Sequence, residues 1–68
     1  MRISARNVLK GTIVEIKKGA TTAHVLIDVN GAIVTASITN ESVDDLKLVN
    51  GKAVFAVIKS SDVMVGVE

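Results

Sequence analysis

Apolar and polar positions alternate with a period of two over most of the chain, the spacing of strands that bury one face. In residues 21–29, Ala23, Val25, Ile27 and Val29 fall on one side, and Thr22, His24, Leu26 and Asp28 on the other. Asn30-Gly31 follows, the signature of a two-residue type I′ hairpin turn. In Ala32–Thr39 the two sides are Val34, Ala36, Ile38 and Ile33, Thr35, Ser37, Thr39. Residues 8–18, ahead of this hairpin, are rich in β-branched side chains, but their alternation breaks. Ile13-Val14 and Glu15-Ile16-Lys17 imply different buried faces. A bulge accounts for the break, and Gly11 inside the run points the same way. Lys18-Gly19-Ala20 predicts a turn with Gly19 at positive φ.

The pattern changes at residues 40–46. Thr39 or Asn40 can cap a helix there, and Glu41, Asp44 and Asp45 supply the negative charge a helix start favours. Val43 and Leu46, three apart, share one face and are suited to plug the end of a barrel. Asn50-Gly51 is a second turn. Residues 53–59 predict a fourth strand and residues 63–67 a fifth, joined by a tight turn at Ser60-Ser61-Asp62. The expected class is all-β: a five-stranded OB-like Greek-key barrel with one short helix between strands 3 and 4, in a single domain over residues 1–68. A flat sandwich of the same strands is the alternative.

Composition adds that this barrel does not stand alone. The chain has 68 residues, no Cys and one His, so neither disulfides nor a metal cage staple it. Apolar residues nonetheless make up 49%, more aliphatic surface than one small core holds, which predicts an obligate oligomer. The net charge of +1 gives no basic field for nucleic acid. Phe55 is the sole aromatic, so the stacking platform of nucleic-acid-binding OB-folds is missing. His24, Ser42 and Asp28 are the only ingredients of a triad; they are dispersed and carry no nucleophile motif, so no enzyme is expected. No apolar run approaches the roughly 18 residues of a membrane span, and the opening lacks a signal-peptide hydrophobic region. The expected compartment is the cytoplasm.

Two short polar pieces hold the remaining chemistry. In Ser4-Ala5-Arg6-Asn7 an extended backbone puts Ser4 and Arg6 on one face, a hydroxyl beside a five-donor guanidinium. Small Ala5 leaves its N–H accessible. Such a set suits a small oxyanion; it also describes a solvated chain start. Lys59-Ser60 offers an ammonium and a hydroxyl at a strand end. It reads either as part of an anion site or as a cation that blocks edge-to-edge pairing.

The segment Ile3-Ser4-Ala5-Arg6-Asn7-Val8-Leu9-Lys10-Gly11 resembles the start of the molybdate-binding domain of the molbindins, also called molybdenum-pterin-binding proteins. Lys17-Lys18-Gly19, Ile38-Thr39 with Ser42-Val43 and Leu46, and Val57-Ile58-Lys59-Ser60-Ser61-Asp62-Val63-Met64 extend the likeness to essentially the whole chain. The resemblance implies an OB-like barrel and a homohexamer built as a trimer of dimers. It implies molybdate or tungstate bound at subunit interfaces, and a role in intracellular storage and buffering. It does not imply a pterin, which no residue here supports. Its main site maps onto Ser4, the Ala5 backbone, Arg6, Lys59 and Ser60, with the Ser-Arg and Lys-Ser pieces expected from different chains. A second class of site is assigned to Gly19, Ala20, Thr21 and Thr22. The competing reading is an OB-fold assembly module with no ligand; the joint presence of Ser4, Arg6, Lys59 and Ser60 separates the two.

Overall fold

The computed structural model describes residues 1–68. Four strands, β1 (Asn7–Lys18), β2 (Thr22–Val29), β3 (Ala32–Thr39) and β4 (Ala53–Ile58), form one antiparallel sheet in the order β3-β2-β1-β4. Helix α1 (Asn40–Asp45) lies between β3 and β4, and a 3-10 turn, Ser60–Asp62, follows β4. The β2–β3 hairpin turns on Asn30 (φ 55°) and Gly31 (φ 94°), both in the left-handed region a type I′ turn demands. Asp28 Oδ1 accepts the Gly31 N–H at 2.8 Å and fastens the turn.

β1 is long because it serves two partners. Its first half pairs with β4 from Asn7↔Ile58 to Thr12↔Ala53, and its second half with β2 as far as Lys18↔Ala23. The β1–β2 register shifts between Ile13 and Glu15. This is the predicted bulge, with Val14 as the extra, exposed residue. The bulge lets Ile13 on one side of it and Ile16 on the other both meet the core. That core consists of Ile13, Ala23, Val25, Ile27, Val43 and Ala56, all apolar.

α1 begins at Thr39, whose Oγ1 accepts the Ser42 N–H at 3.0 Å. Its end is closed without glycine. Leu48 N–H donates to Val43 O and Lys47 N–H to Asp44 O, both at 3.0 Å, the paired bonds of a Schellman closure. Lys47 takes the left-handed position (φ 54°), and Lys52 Nζ caps the free carbonyls of Leu46 and Lys47 at 2.8 and 3.2 Å. Val43 is buried and plugs the sheet as expected, whereas Leu46 is 60% exposed. Thr39→Ala removes the cap of a six-residue helix; the expected loss is about 1 kcal/mol, read as an earlier midpoint in urea with an unchanged slope.

Two expectations are corrected. Residues 63–67 form no strand: they pair with nothing in the chain, and Met64, Val65 and Val67 are 93%, 92% and 94% exposed. A strand needs a partner edge, and after the 3-10 turn this segment leaves its own sheet. Gly19 is not at positive φ. Its N–H donates to Thr22 O at 2.7 Å, and a Cβ there would stand 3.1 Å from that same oxygen. Close approach, not handedness, is what favours glycine at this turn.

Candidate anion site

The β1–β4 ladder decides where the polar pieces lie. Asn7 is opposite Ile58, and its Nδ2 donates to Ile58 O at 3.2 Å. Arg6 precedes Asn7 and Lys59 follows Ile58, so antiparallel pairing sets the two cations at one end of one sheet. Ser4 and Ala5 flank Arg6, and Ser60 opens the 3-10 turn. The Lys59 carbonyl accepts the Asp62 N–H at 2.9 Å, which fixes the turn beneath the Lys59-Ser60 pair. The ladder therefore brings the two polar pieces to the same end of the sheet within a single chain.

The donors at this end are uncommitted. The chain's two ion pairs are Lys17–Glu15 (3.7 Å) and Lys18–Asp44 (2.8 Å), so neither Arg6 nor Lys59 has a carboxylate partner. Ser4, Arg6, Lys59 and Ser60 are exposed and Ala5 is half-buried. Two positive groups, two hydroxyls and a backbone N–H, with no acceptor charge among them, are a donor set for a dianion. In the single chain they form an open shelf, not an enclosed cavity.

The second candidate group lies at the far end of β1. Lys17, Lys18, Gly19, Thr22 and His24 line a polar depression of about 270 Å³. Of the four residues expected there, Gly19 and Thr22 line it, and Ala20 and Thr21 are exposed beside it. Gly19 N–H is taken up by Thr22 O, and Thr21 O by the Asn40 N–H at 2.9 Å. Asn40 Nδ2 donates to Gly19 O at 3.0 Å, so helix α1 clasps the turn. Lys17, Lys18 and His24 line it too, outside the group expected from the sequence, and Lys18 is committed to Asp44. Lys17 and His24 face each other across β1 and β2, a neighbourhood that only the register past the bulge defines.

Other chemistry is dispersed. His24 stands opposite Ser37 on β3, Ser42 bonds Thr39 in the cap, and Asp28 bonds the Gly31 turn. No group of three His, Cys, Asp or Glu residues could hold a metal ion. No helix is long and apolar enough to cross a membrane. The larger cavity, about 500 Å³, is walled by apolar side chains, and its one lysine, Lys52, is tied to the helix end. A dianion there would lose its hydration and gain almost no donors.

The TOBE domain model matches residues 3–65. The chain is 48% identical to molybdenum-pterin-binding protein 3 of Clostridium pasteurianum over 66 residues, covering 96% of this chain and 97% of that protein. In structure it is similar to a molybdate-binding protein from Sporomusa ovata, with a TM-score of 0.91 at 43% identity over 96% of this chain and 97% of that one. It also resembles the cytoplasmic molybdate-binding protein ModG, with a TM-score of 0.93 at 42% identity, and spans 49% of that chain.

Proposed function

The chain belongs to the TOBE-domain family, among the molybdenum-pterin-binding proteins or molbindins, and we propose from that footing that it binds molybdate, and tungstate with it, as an intracellular store and buffer. It is a binding protein and not an enzyme. The observation that supports the reading is the β1–β4 register, which ends at Asn7↔Ile58 and so brings the segment with Ser4, Ala5 and Arg6 and the segment with Lys59 and Ser60 to one end of the sheet. The assembly is a homohexamer, a trimer of dimers, with the main sites at subunit interfaces, where a neighbouring copy closes the shelf. The turn at Gly19, Ala20, Thr21 and Thr22 belongs to a second class of site, to which Lys17 and His24 add their side chains. The ligand is the oxyanion itself, with no pterin and no nucleic acid, and the compartment is the cytoplasm.

Molybdate at neutral pH is a tetrahedral dianion without protons. Hydrogen bonds to a charged acceptor contribute about 1.5–3 kcal/mol each, and Arg6 and Lys59 compensate the charge. Phosphate at neutral pH still carries a proton, which meets only donors at this site, and that repulsion works against it. Sulfate is also proton-free, so its rejection rests on its smaller size in a rigid cavity.

Molybdate and tungstate are expected to raise the melting temperature, by about 2.7 kcal/mol of added stability per site at a hundredfold excess over the dissociation constant. Phosphate at matched ionic strength is expected to leave it in place. An equal shift with phosphate overturns the donor-only reading. No shift with any of the three anions returns the chain to the second reading, an assembly module without a ligand, which the open apolar groove favours.

A further inference from the structure

Two asparagines of this chain precede a glycine, Asn30 and Asn50, and both are exposed. The other two precede Val8 and Glu41, and their side-chain amides are bound: Asn7 Nδ2 donates to Ile58 O at 3.2 Å and Asn40 Nδ2 to Gly19 O at 3.0 Å. An asparagine before glycine can close on itself, because glycine has no Cβ to screen its backbone nitrogen. Hydroxide takes the proton of the glycine N–H, the nitrogen forms a bond to the asparagine Cγ, and the Cγ–Nδ2 bond breaks. Nδ2 leaves as ammonia with a proton from water, which restores the hydroxide. A water molecule then opens the cyclic imide to aspartate or to isoaspartate.

The reaction starts at the glycine N–H, so what holds that group sets the rate. A Cβ at Gly31 or at Gly51 would meet nothing within 4 Å, so packing does not separate the two turns. Hydrogen bonding does. Gly51 N–H donates to Ile13 O at 2.7 Å, and Ile13 N–H donates to Lys52 O at 3.0 Å. Ile13 is 1% exposed and belongs to the core, so freeing Gly51 means pulling its turn off the middle of β1. Gly31 N–H is held by one side-chain oxygen, Asp28 Oδ1 at 2.8 Å, at the tip of the β2–β3 hairpin. Releasing it takes only the rotation of a half-buried carboxylate, a local opening of low cost. While that bond is made, the carboxylate also opposes loss of the Gly31 proton, because the nitrogen anion would form against a negative charge.

We propose that Asn30 is a self-modification site, converting to aspartate and isoaspartate in the folded protein, and that Asp28 is the residue that sets its rate. Aspartate there adds a negative charge two positions from Asp28. Isoaspartate puts an extra carbon into the backbone of a two-residue loop in which Asn30 has φ 55°, and the Val29↔Ala32 pair beside it then loses its register. The reaction needs water alone and is independent of the anion site.

The parent and Asp28→Ala are incubated in mildly alkaline, molybdate-free buffer well below their melting temperatures, digested, and followed at Asn30 and Asn50 by peptide mass spectrometry. In the folded parent, Asn30 is expected to convert before Asn50; in denaturant the two are expected to convert alike. Asp28→Ala is expected to speed Asn30 by about tenfold or more, the factor set by losing a hydrogen bond to a charged acceptor, and to leave Asn50 unchanged. Asn50 converting as fast as Asn30 in the folded parent overturns the proposal. So does an Asn30 rate in folded Asp28→Ala no higher than the parent's. A variant that does not fold gives itself away by speeding both sites together, and Asp28→Asn then takes its place. That change keeps an oxygen for the Gly31 N–H without the charge and is likewise expected to speed Asn30 alone; an unchanged Asn30 rate overturns the proposal there too.

Discussion

Arg6→Ala is expected to weaken molybdate binding about a hundredfold or more, by isothermal titration on the purified assembly. The guanidinium is always charged and offers a planar fork of donors that lysine cannot copy. Losing one member of an enclosed ion pair costs about 3–5 kcal/mol, because the remaining charge is left desolvated and unpaired. The size of the effect also reads the enclosure. Arg6 is exposed in the single chain, and an exposed pair contributes only about 0.2–1 kcal/mol. A hundredfold loss therefore requires a neighbouring copy over the shelf, and a loss of a few-fold means the shelf stays open to water. Lys59→Ala is expected to match Arg6→Ala, since the β1–β4 ladder places them symmetrically. Ser4→Ala removes a neutral donor and is expected to cost about 1 kcal/mol, or roughly fivefold. The assembly should survive all three changes, since its apolar surfaces are untouched. If Arg6→Ala binds as tightly as the parent, the site does not include the opening segment.

Gly11→Ala is expected to lower the melting temperature by about 15 °C. Gly11 lies on β1 opposite Val54, with the end of β2 pressed against its Cα. A Cβ built there stands 2.6 Å from the Asp28 carbonyl oxygen, 2.7 Å from Ile27 Cγ2 and 3.0 Å from Val29 Cγ2. The first of these is backbone and cannot step aside, so the strands must part. Overpacking of this kind reaches about 3 kcal/mol, and each kcal/mol moves the midpoint of so small a domain by about 4–8 °C. Circular dichroism against temperature measures it, with Lys10→Ala, an exposed neighbour on the same strand, as the near-silent control. An unchanged midpoint would mean that the close approach of β1 and β2 is not what requires glycine.

What could be read from the sequence was local. The alternation of Ala23, Val25 and Ile27, the Asn30-Gly31 turn, the Thr39 cap and the broken pattern at Ile13-Val14 each depend on neighbours within a few residues. What could not be read depended on pairing. The valine pattern of residues 63–67 is a correct strand signal, but the chain offers it no partner edge. Lys47 closes α1 in the left-handed region, where glycine is the residue to look for; a lysine gives no warning there, and the supporting bonds come from Lys52, five residues on. For the proposed anion site, the two polar pieces that hold Ser4, Arg6, Lys59 and Ser60 were legible as residue types. That one chain brings them together was not, since it follows from a register that matches Asn7 to Ile58.

That register also sets an order of events. The two halves of the shelf flank the β1–β4 ladder, so they are among the last segments to be joined as the chain is made. The β2–β3 hairpin can close as soon as residue 39 is available, but Arg6 waits for Lys59. A nascent chain therefore has nothing with which to capture an anion, and capture begins only after the β1–β4 loop shuts. Because closing a long loop carries an entropy cost that grows with its length, an anion held between its two ends resists the reopening of that loop.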